Sequence, residues 1–323
     1  MIERDGFWVW DSWYVEHAGS YHAFYLMAPT SLGDADLRHA NARIGHSVSP
    51  DLREWTALAD ALGPGADGDF DDLGVWTGSI VRAAGEWHLF YTGVEKRSRT
   101  RIQRIGHAVS PDLVTWERVS TEPVATADAR WYSTAAEPPE FDEPWRDPWV
   151  FRAGDGRWHM LITAREPRVD GQVHGSIGHC VSDDLQQWEV AAPLSHRSGF
   201  RQAEVIQVLE VAGRHVLVFC AAASDVIAAG VSARTATYTA PADGPLGPFR
   251  FDLAEPIAAP GVYAGRVLRD PAGAPVLLGF TLADADGAFG GVICDPIVLA
   301  LTAQGTLQPK PGTNPESRSE AWG

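Results

Sequence analysis

A twelve-residue box recurs three times along the chain, as IGHSVSPDLREW at 44–55, IGHAVSPDLVTW at 105–116 and IGHCVSDDLQQW at 177–188. Successive copies lie 61 and 72 residues apart. Self-similarity at a period of this size marks an array of equivalent units, because one such unit cannot bury its apolar face alone. An aromatic strand precedes each copy: GSYHAFYLMAP at 19–29, GEWHLFYTGV at 85–94 and GRWHMLITAR at 156–165. A further short strand precedes that one, in FWVWDSWYV, VWTGSIVRA and WRDPWVFRA. Each unit thus reads as a meander of short strands with Gly, Pro and Asp at its turns. Two degenerate units follow, AEVIQVLEVAGRHVLVFCAAA at 203–223 and GVYAGRVLRDPAGAPVLLGFTL at 261–282. No helical period is sustained anywhere. Five units of about 50–65 residues predict an all-β chain, a five-bladed β-propeller of four-stranded antiparallel blades. One propeller domain is expected over 1–311, with a flexible tail at 312–323 and no C-terminal β-sandwich.

The box itself reads as scaffold, since a residue present in three copies is more naturally structural than catalytic. His46, His107 and His179 are expected to be satisfied on the third strand, with Trp55, Trp116 and Trp188 packed between blades. The cysteines, Cys180, Cys220 and Cys294, are far apart in apolar runs and are expected to be buried free thiols.

A net charge of −16 argues against nucleic acid or an anionic membrane as partner. It also mildly disfavours a heavily phosphorylated substrate, unless a local basic pocket overrides it. Neither a signal peptide nor an apolar run of membrane-spanning length is visible, which gives a cytoplasmic expectation. Thirteen tryptophans point to flat apolar faces that meet a half-wet surface, sugar rings included.

Function is sought where the repeat breaks. In a propeller the innermost strands converge on the axis, so their first residues face one central funnel. Those positions hold Asp11 (among Trp8, Trp10 and Trp13), Trp76 to Ser79, Arg146 and Asp147, Glu204, and Tyr263 to Arg266. Three blades thus bring a carboxylate to corresponding places. A scaffold gains nothing from this, because crowded carboxylates repel and desolvate one another. Glycoside hydrolysis, in contrast, requires two acids in opposed environments.

These residues carry a resemblance. VWDSW at 9–13 is similar to the nucleophile motif of levansucrases, and RDP at 146–148 matches a motif of glycoside hydrolase families 32 and 68. The run 46–79 resembles the family 32 stretch joining its first two blades, and 295–311 its propeller-ending strand pair. The context departs from family 32 around Asp11, which usually has asparagine before it and proline–asparagine after, and at Val205, where cysteine is common. The resemblance implies Asp11 as nucleophile, Asp147 with Arg146 as the group that holds sugar hydroxyls and stabilises the transition state, and Glu204 as acid/base. It implies a retaining reaction on β-fructofuranosides, sucrose or short fructans, with the two carboxyls about 5–5.5 Å apart. Hydrogen bonds are expected to hold the Asp11 pKa low, and apolar walls to raise that of Glu204.

Trp10, Trp76, Thr77, Ser79 and Tyr263 are candidate sugar contacts, with Arg266, Arg201 and Gln202 as further candidates. Glu137, Glu140 and Glu210 are rivals to Glu204. The stretch ADGDFDD at 66–72 starts like a calcium loop, but Asp72 stands where glycine is needed, so a solvated loop is expected. The partner is a small carbohydrate, with no cofactor and no metal expected and the oligomeric state open. A propeller pentosidase and a non-hydrolytic carbohydrate-binding propeller are the alternatives, and hydrolysis against transfer stays open.

Overall fold

The computed structural model describes residues 1–99, 102–135, 142–168 and 173–313. Five four-stranded antiparallel sheets follow one another along the chain and form a five-bladed β-propeller. The first blade comprises β1 (Phe7–His17), β2 (Ser20–Pro29), β3 (Arg43–Ser49) and β4 (Thr56–Ala57). The second comprises β5 (Gly74–Ala83), β6 (Glu86–Val94), β7 (Gln103–Ser110) and β8 (Glu117–Arg118). The third holds β9 (Arg146–Arg152), β10 (Trp158–Arg165), β11 (Gly175–Ser182) and β12 (Glu189–Ala191). The fourth holds β13 (Glu204–Val211), β14 (Arg214–Ala221), β15 (Ala236–Ala242) and β16 (Glu255–Pro256). The fifth holds β17 (Val262–Arg269), β18 (Pro275–Thr281), β19 (Ile297–Leu301) and β20 (Leu307–Pro309). The ring closes where Ile2 exchanges backbone hydrogen bonds with Ile293 and the Val9 amide donates to Gly291 O.

The repeated box builds the outer half of a blade. In each copy an aspartate, Asp51, Asp112 or Asp184, accepts two backbone N–H groups from residues two and three further on. That Asx turn puts the intervening leucine in the left-handed region, at φ +67° for Leu52, +68° for Leu113 and +67° for Leu185. The leucine carbonyl then accepts the indole N–H of the box tryptophan at 3.0–3.1 Å. Each box histidine is buried and bonded to a histidine of the second strand, as in His46 to His22, His107 to His88 and His179 to His159. Trp116 packs edge-on against Phe24 of the preceding blade, and Trp188 does the same against Phe90. Trp55 differs: it contacts Tyr14 of its own blade. Cys180 and Cys220 are buried free thiols, while Cys294 is only half-buried.

The innermost strand of every blade carries a bulge near its first residues. The pairing slips between Val9 and Ser12, between Trp76 and Gly78, between Arg146 and Trp149, between Glu204 and Gln207, and between Tyr263 and Arg266. A bulge puts two residues opposite one, re-aims a side chain and reverses the alternation beyond it. Three bulges hold a non-glycine residue at positive φ: Asp147 at +58°, Val205 at +53° and Ala264 at +48°. In the second blade the bulge requires Gly78, because a Cβ there would sit 2.3 Å from Phe90 O.

Residues 66–68 are exposed, as expected of a solvated loop, but the last two acids of the stretch are buried. Asp71 is buried, accepting from the Tyr91 hydroxyl at 2.8 Å and Arg118 Nε at 2.9 Å. Asp72 caps the Gly68 and Lys96 amides. The expected tail falls largely on residues outside those described. No helix among the described residues is long and apolar enough to cross a membrane.

Candidate active site

The five bulges align the blades residue by residue. Trp10, Trp76, Arg146, Glu204 and Tyr263 share one register, and all five line a cavity of about 760 Å³. One residue further on stand Asp11, Thr77, Asp147, Val205 and Ala264, the first four of which also line it. Asp11 and Asp147 are therefore equivalent, whereas Glu204 stands one position earlier, level with Arg146. The three acids do not hold the same position, as the sequence suggested, yet they share one cavity.

Each acid has its own partners. Thr77 Oγ1 donates to Asp11 Oδ2 at 2.6 Å. Asp147 Oδ2 accepts from Thr163 Oγ1 at 2.9 Å and from the Val205 amide at 3.1 Å. Glu204 Oε1 accepts from Arg146 Nη2 at 2.7 Å and Gln202 Nε2 at 2.9 Å, and the Tyr263 hydroxyl donates to Oε2 at 2.8 Å. Arg146 is anchored by Gln103 Oε1 at 2.8 Å and lies 3.7 Å from Asp147 Oδ2. Oδ1 of Asp11 and of Asp147 has no protein donor among the described residues.

The electrostatics reverse an expectation. Burial, then the like charge of Asp147, raises the Asp11 carboxyl to about 7, with Glu204 adding to the rise. The Thr77 hydroxyl and the Arg266 guanidinium oppose this without cancelling it. Asp147 is also raised by burial, opposed first by Arg146. The expected low Asp11 pKa is thus corrected, because one hydroxyl does not outweigh desolvation and two neighbouring acids. The apolar walls expected around Glu204 are replaced by three donors. Asp11 therefore retains its proton up to about neutral pH.

Three sequence candidates lie elsewhere. Ser79 is buried behind the cavity wall, where its hydroxyl accepts the Val150 amide at 3.0 Å. Glu210 is exposed, because the bulge after Glu204 turns it to the other face. Arg201 points to the surface and donates to Ser224 O. Gln202 reaches the site through Glu204, not through the cavity wall. Glu137 and Glu140 lie outside the described residues.

Residues that the sequence left unnoticed complete the wall. Arg38 and His39 come from a 3-10 turn, Ala35–Asn41, between β2 and β3. The Arg38 guanidinium lies 4.1 Å from the Phe289 ring centroid, and His39 O accepts the Trp76 indole N–H at 2.8 Å. Burial, then the charge of Arg38, holds His39 near 4, so it is neutral at ordinary pH. Lys96, Arg99, Gln103 and Asp142 add a polar lip, and Phe280 closes one side. The long β2–β3 connection was the one available signal, and a connection of that kind does not reveal where it folds.

Residues 12–247 match the sequence profile described as the glycosyl hydrolases family 32 N-terminal domain. This chain belongs to glycosyl hydrolase family 32. The family 32 match begins one residue after Asp11, so the position of Asp11 in the cavity rests on the structure, on its register and its contact with Thr77. Among relatives of this family 32 chain, β-fructofuranosidase insoluble isoenzyme 7 of Oryza sativa subsp. indica is 33% identical over 61% of this chain and 31% of its own. Sucrose-6-phosphate hydrolase of Klebsiella pneumoniae is 28% identical over 63% of this chain and 40% of its own. The chain spans about a third of the length of these curated relatives. The inulosucrase from Halalkalicoccus jeotgali bound to kestose superposes with a TM-score of 0.77 at 20% identity, over 94% of this chain and 87% of that one. That likeness carries the fold.

Proposed function

We propose that the chain is a retaining glycoside hydrolase acting on β-fructofuranosides, sucrose or a short fructan. The observation that carries this reading is the single cavity shared by Asp11, Asp147 and Glu204, with Arg146 in contact with both Asp147 and Glu204. Asp11 Oδ1 attacks the anomeric carbon of the fructosyl unit, and the bond to the leaving oxygen breaks as Glu204 delivers a proton to that oxygen. The leaving sugar departs and a fructosyl ester remains on Asp11. Glu204, now a carboxylate, takes a proton from water; the water oxygen attacks the anomeric carbon and frees Asp11. Two inversions give net retention, and a sugar hydroxyl in place of water gives transfer. Asp147 and Arg146 hold sugar hydroxyls and stabilise the positive charge that develops on the ring. Trp10, Trp76 and Tyr263 supply aromatic wall.

The test is release of fructose from sucrose by wild type and its loss in Asp11→Asn and Glu204→Gln. A wild type inert on sucrose, levan, inulin and aryl fructofuranosides overturns the reading. Product analysis at high sucrose separates hydrolysis from transfer.

A second reading concerns the leaving group. Arg38, Lys96 and Arg99 line the cavity despite the strongly acidic chain, and one relative is named a sucrose-6-phosphate hydrolase. A higher kcat/KM on sucrose 6-phosphate than on sucrose, abolished in Arg99→Ala, supports it; equal values exclude it.

A further inference from the structure

Arg266 stands on β17 three residues after Tyr263, one layer along the axis from the cavity wall, and it is fully buried. Its Nη1 donates to Ile206 O at 2.7 Å and Val205 O at 3.2 Å. Its guanidinium carbon lies 5.1 Å from the centroid of the Trp149 ring. Nε and Nη2 have no protein acceptor among the described residues, and no carboxylate lies within ion-pair distance. A buried cation with two unpaired donors is unfavourable for folding on its own, so its retention calls for a compensating role.

The two carbonyls it holds belong to the bulge that follows Glu204. Val205 is a β-branched residue at φ +53°, a backbone state that its surroundings must enforce. The amide of the same residue donates to Asp147 Oδ2 at 3.1 Å. One clamp therefore fixes the start of the strand that aims Glu204 and the donor that orients Asp147. The acids that feel its charge are Asp147 and Asp11, while Cys220 and Tyr14 nearby are neutral.

We infer that Arg266 is a positioning residue of the carboxylate ring, holding the Val205–Ile206 bulge and setting a fixed buried positive charge behind Asp11 and Asp147. The inference rests on the proposed role of Asp11 as nucleophile. The groups that face Asp11 are Arg38, Asp147, Glu204, Cys220, Tyr263 and Arg266. Of these, Arg266 is the one cation placed on the side away from the cavity.

The experiment titrates the Asp11 carboxyl by 13C NMR, assigned with Asp11→Asn, in wild type and in Arg266→Met, Arg266→Gln and Arg266→Lys. The neutral variants are expected to titrate about one pH unit above wild type, and the lysine variant close to wild type, because an opposite charge shifts a carboxyl by this order. Arg266→Gln retains a donor for the carbonyls and stands in where the methionine variant does not fold. Neutral variants that titrate with wild type, or a lysine variant that moves as far as they do, overturn the inference. The acid limb of kcat/KM on an aryl β-fructofuranoside should move with the carboxyl. A wild type without turnover removes the functional reading and leaves the titration result standing.

Discussion

Thr77 and Asp11 occupy the same register in neighbouring blades, and the threonine hydroxyl donates to the aspartate at 2.6 Å across the blade boundary. Repeat geometry alone produces this contact: one position, filled by an acid in the first blade and a donor in the second.

The pH dependence follows from that contact. The proposed attack by Asp11 requires its carboxylate, and its pKa is raised to about 7, mainly by burial. The kcat/KM on an aryl β-fructofuranoside should therefore fall as pH drops through about 7. Thr77→Val removes a contact that favours the ionised form, so its acid limb should move upward by up to about one unit. Superimposable profiles for the two proteins would count against the assignment.

Glu204→Gln should lower turnover of sucrose by about 10²- to 10⁴-fold, the usual contribution of a general acid. An aryl leaving group does not need that proton. The variant should then form the ester but fail to hydrolyse it, which intact-mass spectrometry reads as a fructosyl adduct, absent in Asp11→Asn.

Tyr263→Phe removes the donor to Glu204 Oε2 while Arg146 and Gln202 remain. A hydrogen bond to a charged group contributes about 1.5–3 kcal/mol, so kcat should drop by about ten- to a hundredfold with the fold intact. A rise in KM with kcat unchanged would assign Tyr263 to substrate binding instead.

The histidine pairs make stability depend on pH. Burial lowers His46 and His107 to about 3 and His179 to about 4. The unfolded chain, with histidine near 6.5, binds protons that the native state refuses, so stability falls as pH drops from about 6.5 toward 4. Asp11 works the other way over part of this window: raised in the folded state, it loses stability as pH rises from about 4 to 7. Two thermal-unfolding results are expected. The Tm of wild type should fall between pH 6.5 and 4, less steeply in His107→Gln. Asp11→Asn should unfold above wild type at pH 7 and 8, because it removes a buried charge facing two other acids.

The sequence determined the array. Each box carries its own Asx-turn aspartate, its left-handed leucine and its tryptophan within six residues, and such short-range contacts are specified by neighbours in the chain. Asp51, Asp112 and Asp184 could be read as turns, and the three boxed units with the two degenerate ones as five blades. The same period exposed Asp11, Asp147 and Glu204 as departures from the repeat. What the tertiary structure decided lies where blades meet. The bulges set Glu204 one register before the aspartates, turned Glu210 outward and hid Ser79 behind the wall, because one extra residue reverses alternation and no local pattern announces it. The rise of Asp11, the Arg146 and Tyr263 donors to Glu204 and the buried Arg266 arise from groups about sixty or more residues away in the chain. Burial and Coulomb interactions depend on distance in space, and the closed ring alone sets that distance.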